Sequence, residues 1–187
     1  YTDPTISLDQ TNLVRNWFAQ QKISGANSRW QWIGGWEVQH LAPTSPSYTA
    51  SENAVRGAVF MRSKWQLVKN ELIFKLRQDF SDQRIGIPVV TSLFTGQLSP
   101  SVSYFAGAGT LFRWPSLDDL YWTPGGDIEL DPEYGWNTEA GLQWEARDLD
   151  FHKINISGTA FFGMHYDAIQ WYPDGALWSV GNRGTLR

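Results

Sequence analysis

Residues 113–141 read RWPSLDDLYWTPGGDIELDPEYGWNTEAG and hold three of the nine prolines together with an adjacent glycine pair, Gly125 and Gly126. That density of breakers rules out one regular element, yet alternating strand patterns enter the stretch from 102–112 and leave it from near Thr138. The reading is a long ordered loop between two strands. Trp114, Leu117, Leu120, Tyr121 and Trp122 supply its anchors, Pro115 and Pro124 restrict the backbone, and the glycine pair allows turns with positive φ. An Ω-like loop packed on its own side chains is expected.

Outward from this loop the chain shows a period of two. Over 29–41, Trp30, Trp32, Gly34, Trp36 and Val38 share one face, and Arg29, Gln31, Glu37 and Gln39 fill the other. The segments 55–67 and 71–80 alternate in the same way and form a predicted hairpin, and 89–98 and 102–112 form the next pair. Beyond the loop, Ala140, Leu142, Trp144 and Ala146 oppose Glu139, Gln143, Glu145 and Arg147. Ile154, Ile156, Gly158, Ala160, Phe162, Met164 and Tyr166 then form an apolar row that opposes Lys153, Asn155, Ser157, Thr159 and His165, and the strand is expected to continue to Trp171. The first 21 residues are the least legible; Leu13, Val14, Trp17 and Phe18 suit a short strand or a single helical turn. Short turns near Gly25, Lys69, Pro100 and Asp150 alternate with longer connections at 42–53, 81–88, 114–137 and 172–182. Outer-membrane barrels have this asymmetry, with short periplasmic turns and longer extracellular loops.

The totals agree with such a wall. Fifteen basic and 19 acidic groups give a net charge of -4, which offers no footprint for nucleic acid. Aromatic residues make up 15% of the chain, including 11 tryptophans, as interfacial girdles or a carbohydrate-stacking surface would require. The absence of cysteine excludes disulfides and thiolate metal sites. No apolar run approaches the roughly 20 residues of a spanning helix. The mean hydropathy of -0.37 is compatible with a barrel, whose inward positions are polar. The start lacks the basic and apolar regions of a signal peptide, and both ends read as cut through a longer pattern.

No catalytic constellation emerges, so no enzyme and no cofactor are expected. Asp118, Asp119, Asp127, Glu129, Asp131 and Glu133 cluster in the long loop. A glycosidase pair or a Ca²⁺ site is weighed there against solvated or loop-bracing carboxylates; no EF-hand spacing is present. His40, His152 and His165 are not spaced as a metal motif. Gly107 and Gly109 lack the third glycine of a dinucleotide fingerprint and suit a sheet bend. Trp30, Trp32, Trp36, Trp65 and Trp144 fit a lipid-facing row. Trp114, Trp122, Trp136, Trp171 and Trp178 lie in or beside the outer loops, where a ligand could meet them. Arg56, Arg62, Lys64, Glu71, Lys75, Arg77, Asp79, Glu139, Glu145 and Arg147 are expected to point into the lumen.

The ordered series Arg113, Pro115, Ser116, Leu117, Asp119, Leu120, Tyr121, Trp122, Leu130, Pro132, Glu133, Glu139 and Gly141 resembles the late-barrel signature of TonB-dependent outer-membrane receptors. A looser likeness continues through Phe161, Asp167, Ile169 and Trp171. Asp127 stands where that family usually has Asn, and the approach AGAGTLF is short. The resemblance implies an all-β fold in which residues 1–187 form part of a single barrel domain. They would be an arc of about seven or eight antiparallel transmembrane strands in a 22-stranded barrel. The plug and the remaining strands would lie outside this sequence. It also implies a place in the bacterial outer membrane and import of a small-molecule or metal-chelate ligand with energy from the TonB complex. Siderophores, haem, cobalamin and oligosaccharides are the ligand types, and YWTPGG resembles receptors of the cobalamin and siderophore type. Implied partners are outer-membrane lipid, TonB acting through the plug, and a surface lipoprotein. Arg113, Pro115, Leu117, Leu120, Tyr121, Leu130, Pro132, Glu133, Glu139 and Gly141 carry over as motif residues with a structural role. A passive or small closed barrel shares the alternation, and a soluble carbohydrate-binding β-sandwich shares the aromatics.

Overall fold

A computed structural model describes residues 13–48, 53–81, 84–147 and 153–186. Its long strands follow one another across the sheet: β1 (Leu13–Ala26), β2 (Trp30–Thr44), β3 (Ala54–Gln66), β4 (Asn70–Ser81), β5 (Val89–Ser99), β6 (Val102–Arg113), β7 (Glu133–Arg147) and β8 (Lys153–Tyr166). A short helix, α1 (Leu117–Tyr121), lies between β6 and β7, and the hairpin of β9 (Ile169–Asp174) and β10 (Leu177–Asn182) follows β8. The last element, β11 (Thr185–Leu186), pairs with β8 and completes a nine-stranded sheet in the order β1-β2-β3-β4-β5-β6-β7-β8-β11. The long strands pair antiparallel with their sequence neighbours throughout.

Local chemistry sets the short turns. At the first, the Asn27 side-chain oxygen accepts from the backbone N–H groups of Arg29 and Trp30 at 2.9 and 2.8 Å, an Asx turn that reverses the chain. The turn at Asp148–Phe151 lies outside the described residues.

The sheet keeps two distinct faces because registered partners share a side. On one face, Trp36 stands beside Val59 and Gln21, and Trp144 beside Val102 and Ile156. On the other, Glu37 stands beside Ala58, which stands beside Asp79. The apolar face is not covered by protein: Trp36, Val59, Leu142, Ile156 and Phe162 are all exposed. Among the described buried hydrophobic residues, Ala58 alone belongs to the large sheet. Among the described residues no second layer packs on it, as one would in a β-sandwich. Even polar atoms on the apolar face are paired within it: Trp30 Nε1 donates to the fully buried Ser63 hydroxyl at 2.6 Å, and Trp36 Nε1 to Gln21 at 3.0 Å. The polar face carries ion pairs between Lys64 and Glu71, and from Arg77 to Glu37 at 2.7 Å and to Asp79 at 2.8 Å.

Four boundaries differ from the sequence reading. The segment from Leu13 is a full strand, β1, stabilised by continuous pairing with β2 despite mixed polarity on both its faces. Strand β2 runs on to Thr44 through Pro43, which is tolerated because its pairing with β3 ends at Leu41 and β2 is an edge from there. The return strand β7 begins at Glu133, not near Thr138, because Glu133–Asn137 is paired with β6, and Tyr134 onward also with β8. The strand expected from Ser157 to Trp171 breaks after Tyr166, where Asp167 adopts φ 52, and the expected loop at 172–182 contains most of the β9–β10 hairpin.

Candidate functional site

At one end of the sheet, the long connection, the β9–β10 hairpin and the two neighbouring loops meet in a cap. Helix α1 opens with a capping box: Asp119 N donates to the Ser116 hydroxyl at 3.1 Å, and Ser116 N donates to Asp119 Oδ2 at 2.9 Å. The same carboxylate, 6% exposed, accepts from Trp171 Nε1 of β9 at 3.0 Å and from Arg113 Nη1 at 3.3 Å. Arg113, the last residue of β6, also donates through Nε to Glu133 Oε2 at 2.6 Å, and the other oxygen of Glu133 accepts from Ile169 N at 2.5 Å. One chain of charge-assisted bonds thus ties β6, α1, β7 and β9 together. Beside it, Leu130, Ile169 and Val180 form a buried apolar cluster packed by Leu120 and Trp171.

Other contacts close the cap. Val180 N donates to Gly125 O at 3.0 Å, and Gly125, at φ 124, lies so close to the hairpin that a Cβ there would meet Trp178 O at 1.9 Å. Asn182 donates from Nδ2 to the carbonyls of Asp131 and Asp167 at 2.9 and 2.7 Å, while its Oδ1 accepts from Asp131 N at 2.9 Å. From the β2–β3 loop, Tyr48 donates its hydroxyl to Asp118 at 2.5 Å, and Ser47 O accepts from Thr123 N at 2.6 Å. Arg56 of β3 donates to Pro115 O at 2.6 Å, and Arg84 from the β4–β5 loop pairs with Asp131 at 2.9 Å.

The electrostatics follow from these contacts. Burial by itself would raise the Asp119 carboxyl, but the Ser116 and Trp171 hydrogen bonds and the charge on Arg113 outweigh it and hold the group below its ordinary value. The Arg113 hydrogen bond lowers Glu133, helped by the Ile169 N–H and opposed by burial. Burial, then the adjoining Asp118 carboxylate, pushes the Tyr48 phenol up to about 12.

The loop carboxylates are thereby dispersed: Asp118 goes to Tyr48, Asp119 and Glu133 to Arg113, and Asp131 to Arg84. Among the described residues no three His, Asp or Glu side chains are grouped to hold a metal ion. A cavity of about 340 Å³ lies under the cap, lined by Arg56, Arg84, Trp114, Tyr121, Ile128 and Leu130 among others.

The expected ligand-facing tryptophans do not converge. Trp114 packs edge-on against Phe112 with ring centroids 4.8 Å apart, and its indole N–H is buried without a hydrogen-bond partner. Trp171 is bound into the Asp119 network. Trp136 lies in β7 on the apolar face, 5.5 Å from the Phe162 ring. Trp122 and Trp178 remain exposed at the cap surface. Of the motif residues, Arg113 and Glu133 touch directly, Leu120 and Leu130 meet in the apolar cluster, and Tyr121 is buried beside Tyr48. Pro115 offers its carbonyl to Arg56; Leu117 is the first residue of α1, and Pro132 immediately precedes β7. Glu139 and Gly141 sit in the wall, on the polar face of β7. Sequence reasoning missed Tyr48, Arg84 and Asn182, whose partners lie 70, 47 and 51 residues away, and no local motif marks them.

An exposed apolar sheet face with a braced cap at one end is the build of one wall of a membrane β-barrel. All of residues 1–187 match the family described as TonB dependent receptor-like, beta-barrel, and the chain belongs to that family. Two curated relatives are named vitamin B12 transporter BtuB. That of Vibrio vulnificus is 35% identical over 46% of this chain, and that of Photobacterium profundum 27% identical over 77%. The aligned parts cover 14% and 23% of those proteins. Among solved structures, the siderophore receptor PirA from Pseudomonas aeruginosa superposes with a TM-score of 0.78 at 17% identity, over 93% of this chain and 35% of PirA. The copper transporter OprC gives 0.72 at 14% identity, over 90% and 33%. At such identities the superpositions establish the fold.

Proposed function

We propose that this chain is part of the barrel wall and outer cap of a bacterial outer-membrane receptor that imports a scarce ligand with energy from the TonB complex. The observation that carries the reading is the match of the whole chain to a receptor barrel family, joined to a sheet whose apolar face is exposed among the described residues. In a membrane, a free arc would leave strand edges unpaired in hydrocarbon, so the remaining strands, and the plug on which TonB would act, come from elsewhere in the receptor. The chain would thus be part of one barrel domain, with the capped end outside the cell and the short turns in the periplasm.

Cobalamin is the first ligand to test, because two relatives carry the name vitamin B12 transporter; ferric siderophores come second. The cavity under the cap would admit ligand and Trp122 and Trp178 offer exposed aromatic faces elsewhere on the cap surface, while Arg113, Asp119, Glu133 and their neighbours hold the cap in shape. Outer-membrane lipid is the surrounding partner, and a surface lipoprotein would meet the capped end.

The test is uptake of labelled cobalamin and ferric siderophores by cells carrying the complete receptor, with and without an intact TonB complex. Saturable uptake that disappears without TonB supports the reading. Uptake that is unselective and unchanged without TonB would replace it with a passive porin.

A further inference from the structure

On β3 and β4 the charges of the polar face are not all balanced. Most cations of β3 and β4 on this face have partners: Lys64 with Glu71, Arg77 with Glu37 and Asp79, and Arg56 with the Pro115 carbonyl. Arg62 and Lys75 differ. They are registered directly opposite each other across β3 and β4, both are exposed, and among the described residues neither has a hydrogen bond or an ion pair. Like charges facing each other across a strand pair repel.

The pair borders a cavity of about 290 Å³ on the same face. Thr91 of β5, next to Lys75, and Leu93, Gly107 and Leu111 line the stretch of wall beyond it. Glu139 of β7 stands at the far wall, with its strand three spacings or about 14 Å of backbone from that of Lys75, and makes no ion pair with it. That carboxylate repels negative charge from its own side of the cavity, so the cavity has a cationic end and an anionic end.

We infer that Arg62 and Lys75 form a two-cation clamp in the lumen wall that seats a carboxylate or similar oxyanion. The inference rests on the barrel reading above, in which the polar face looks into the lumen. The oxyanion has two sources: a carboxylate side chain of the receptor's own polypeptide inside the lumen, or an anionic group on a small solute. Both would be held by the same charge-assisted hydrogen bonds.

The test uses the complete receptor in detergent, with citrate as the free oxyanion and sodium chloride at matched ionic strength as control. Thermal unfolding is compared for the parent, for Arg62→Gln with Lys75→Gln, and for Lys75→Glu alone. With an internal carboxylate, both variants melt about 2–4 °C lower than the parent and citrate has no effect. With a small anion, citrate but not chloride raises the parent's melting temperature by about 2 °C or more, and neither variant responds. The inference is overturned if citrate leaves the parent unchanged and Lys75→Glu melts as high as the parent or higher, since an uncompensated pair would then simply have been relieved. Electrophoretic mobility before and after boiling reports barrel assembly for each protein. A parent lacking the mobility difference would overturn the barrel reading itself, a result distinct from failure of the clamp.

Discussion

Trp144 and Trp171 are both strand tryptophans, but the first is 41% exposed on the apolar face of β7 while the second donates its indole N–H to a buried carboxylate in the cap. The contrast extends to the regions around them. Among the described residues the wall buries almost no apolar side chain against protein and is ordered by ladder hydrogen bonds and register, with one side left uncovered. The cap has its own apolar cluster of Leu130, Ile169 and Val180 and a network of ions to hold it. A wall position therefore responds to what surrounds the protein, whereas a cap position responds to its partners within the chain.

The comparison is broken most forcefully in the wall. Leu142→Arg puts a charge on the lipid side and is expected to cost about 2–4 kcal/mol if the site is near the bilayer midplane. Thr159→Arg, on the polar face of the adjacent β8, is expected to cost roughly 0.5 kcal/mol or less. Denaturant unfolding of the receptor in lipid vesicles measures both, and equal costs would contradict the assignment of faces.

In the cap, Glu133→Ala removes one of the two carboxylate partners of Arg113 and the acceptor of the Ile169 N–H, and is expected to loosen the cap by about 1–3 kcal/mol. Hydrogen exchange should quicken in α1 and in β9–β10, with protection in β2–β5 unchanged. Asn182→Ala removes three hydrogen bonds near the cap surface and should act in the same direction by about 1 kcal/mol, with faster exchange centred on 131 and 180–183.

The smallest effect is that of pH. Asp119 and Glu133 are both held below their ordinary values, so the docked cap binds protons less readily than the undocked one. Their contribution is complete above the ordinary carboxylate values near 4 and is lost as pH falls through the lowered ones. Exchange in the cap, corrected for the intrinsic rate, should be constant between about pH 7 and 5 and rise below about pH 4.

The wall was legible in the sequence because a period of two is a local signal, clear over 29–41 and 154–166. Strand β1 was not, since Arg15, Trp17, Ala19 and Gln21 share one side and its structure comes from the register with β2. The break at Asp167 carries no glycine or proline to mark it; Asp tolerates a positive φ, and the alternation runs on past it into β9. In the cap, the prolines and glycines of 113–141 announced an ordered loop, but the five-residue helix α1 and its Ser116–Asp119 capping box were not read from it. The convergence of Tyr48, Arg84 and Asn182 on that loop depends on the register of the whole sheet, which no local pattern encodes.

The most direct test of the wall-and-cap account is the side of the membrane on which each end lies. The sequence contains no cysteine, so single cysteines can be placed by Leu177→Cys on the cap hairpin and Val68→Cys on the fully exposed turn between β3 and β4, in a receptor otherwise free of cysteine. Intact cells are then treated with a membrane-impermeant maleimide. The account predicts labelling at 177 and none at 68 until the outer membrane is opened. Labelling at 68 with none at 177, or at both in intact cells, would contradict it.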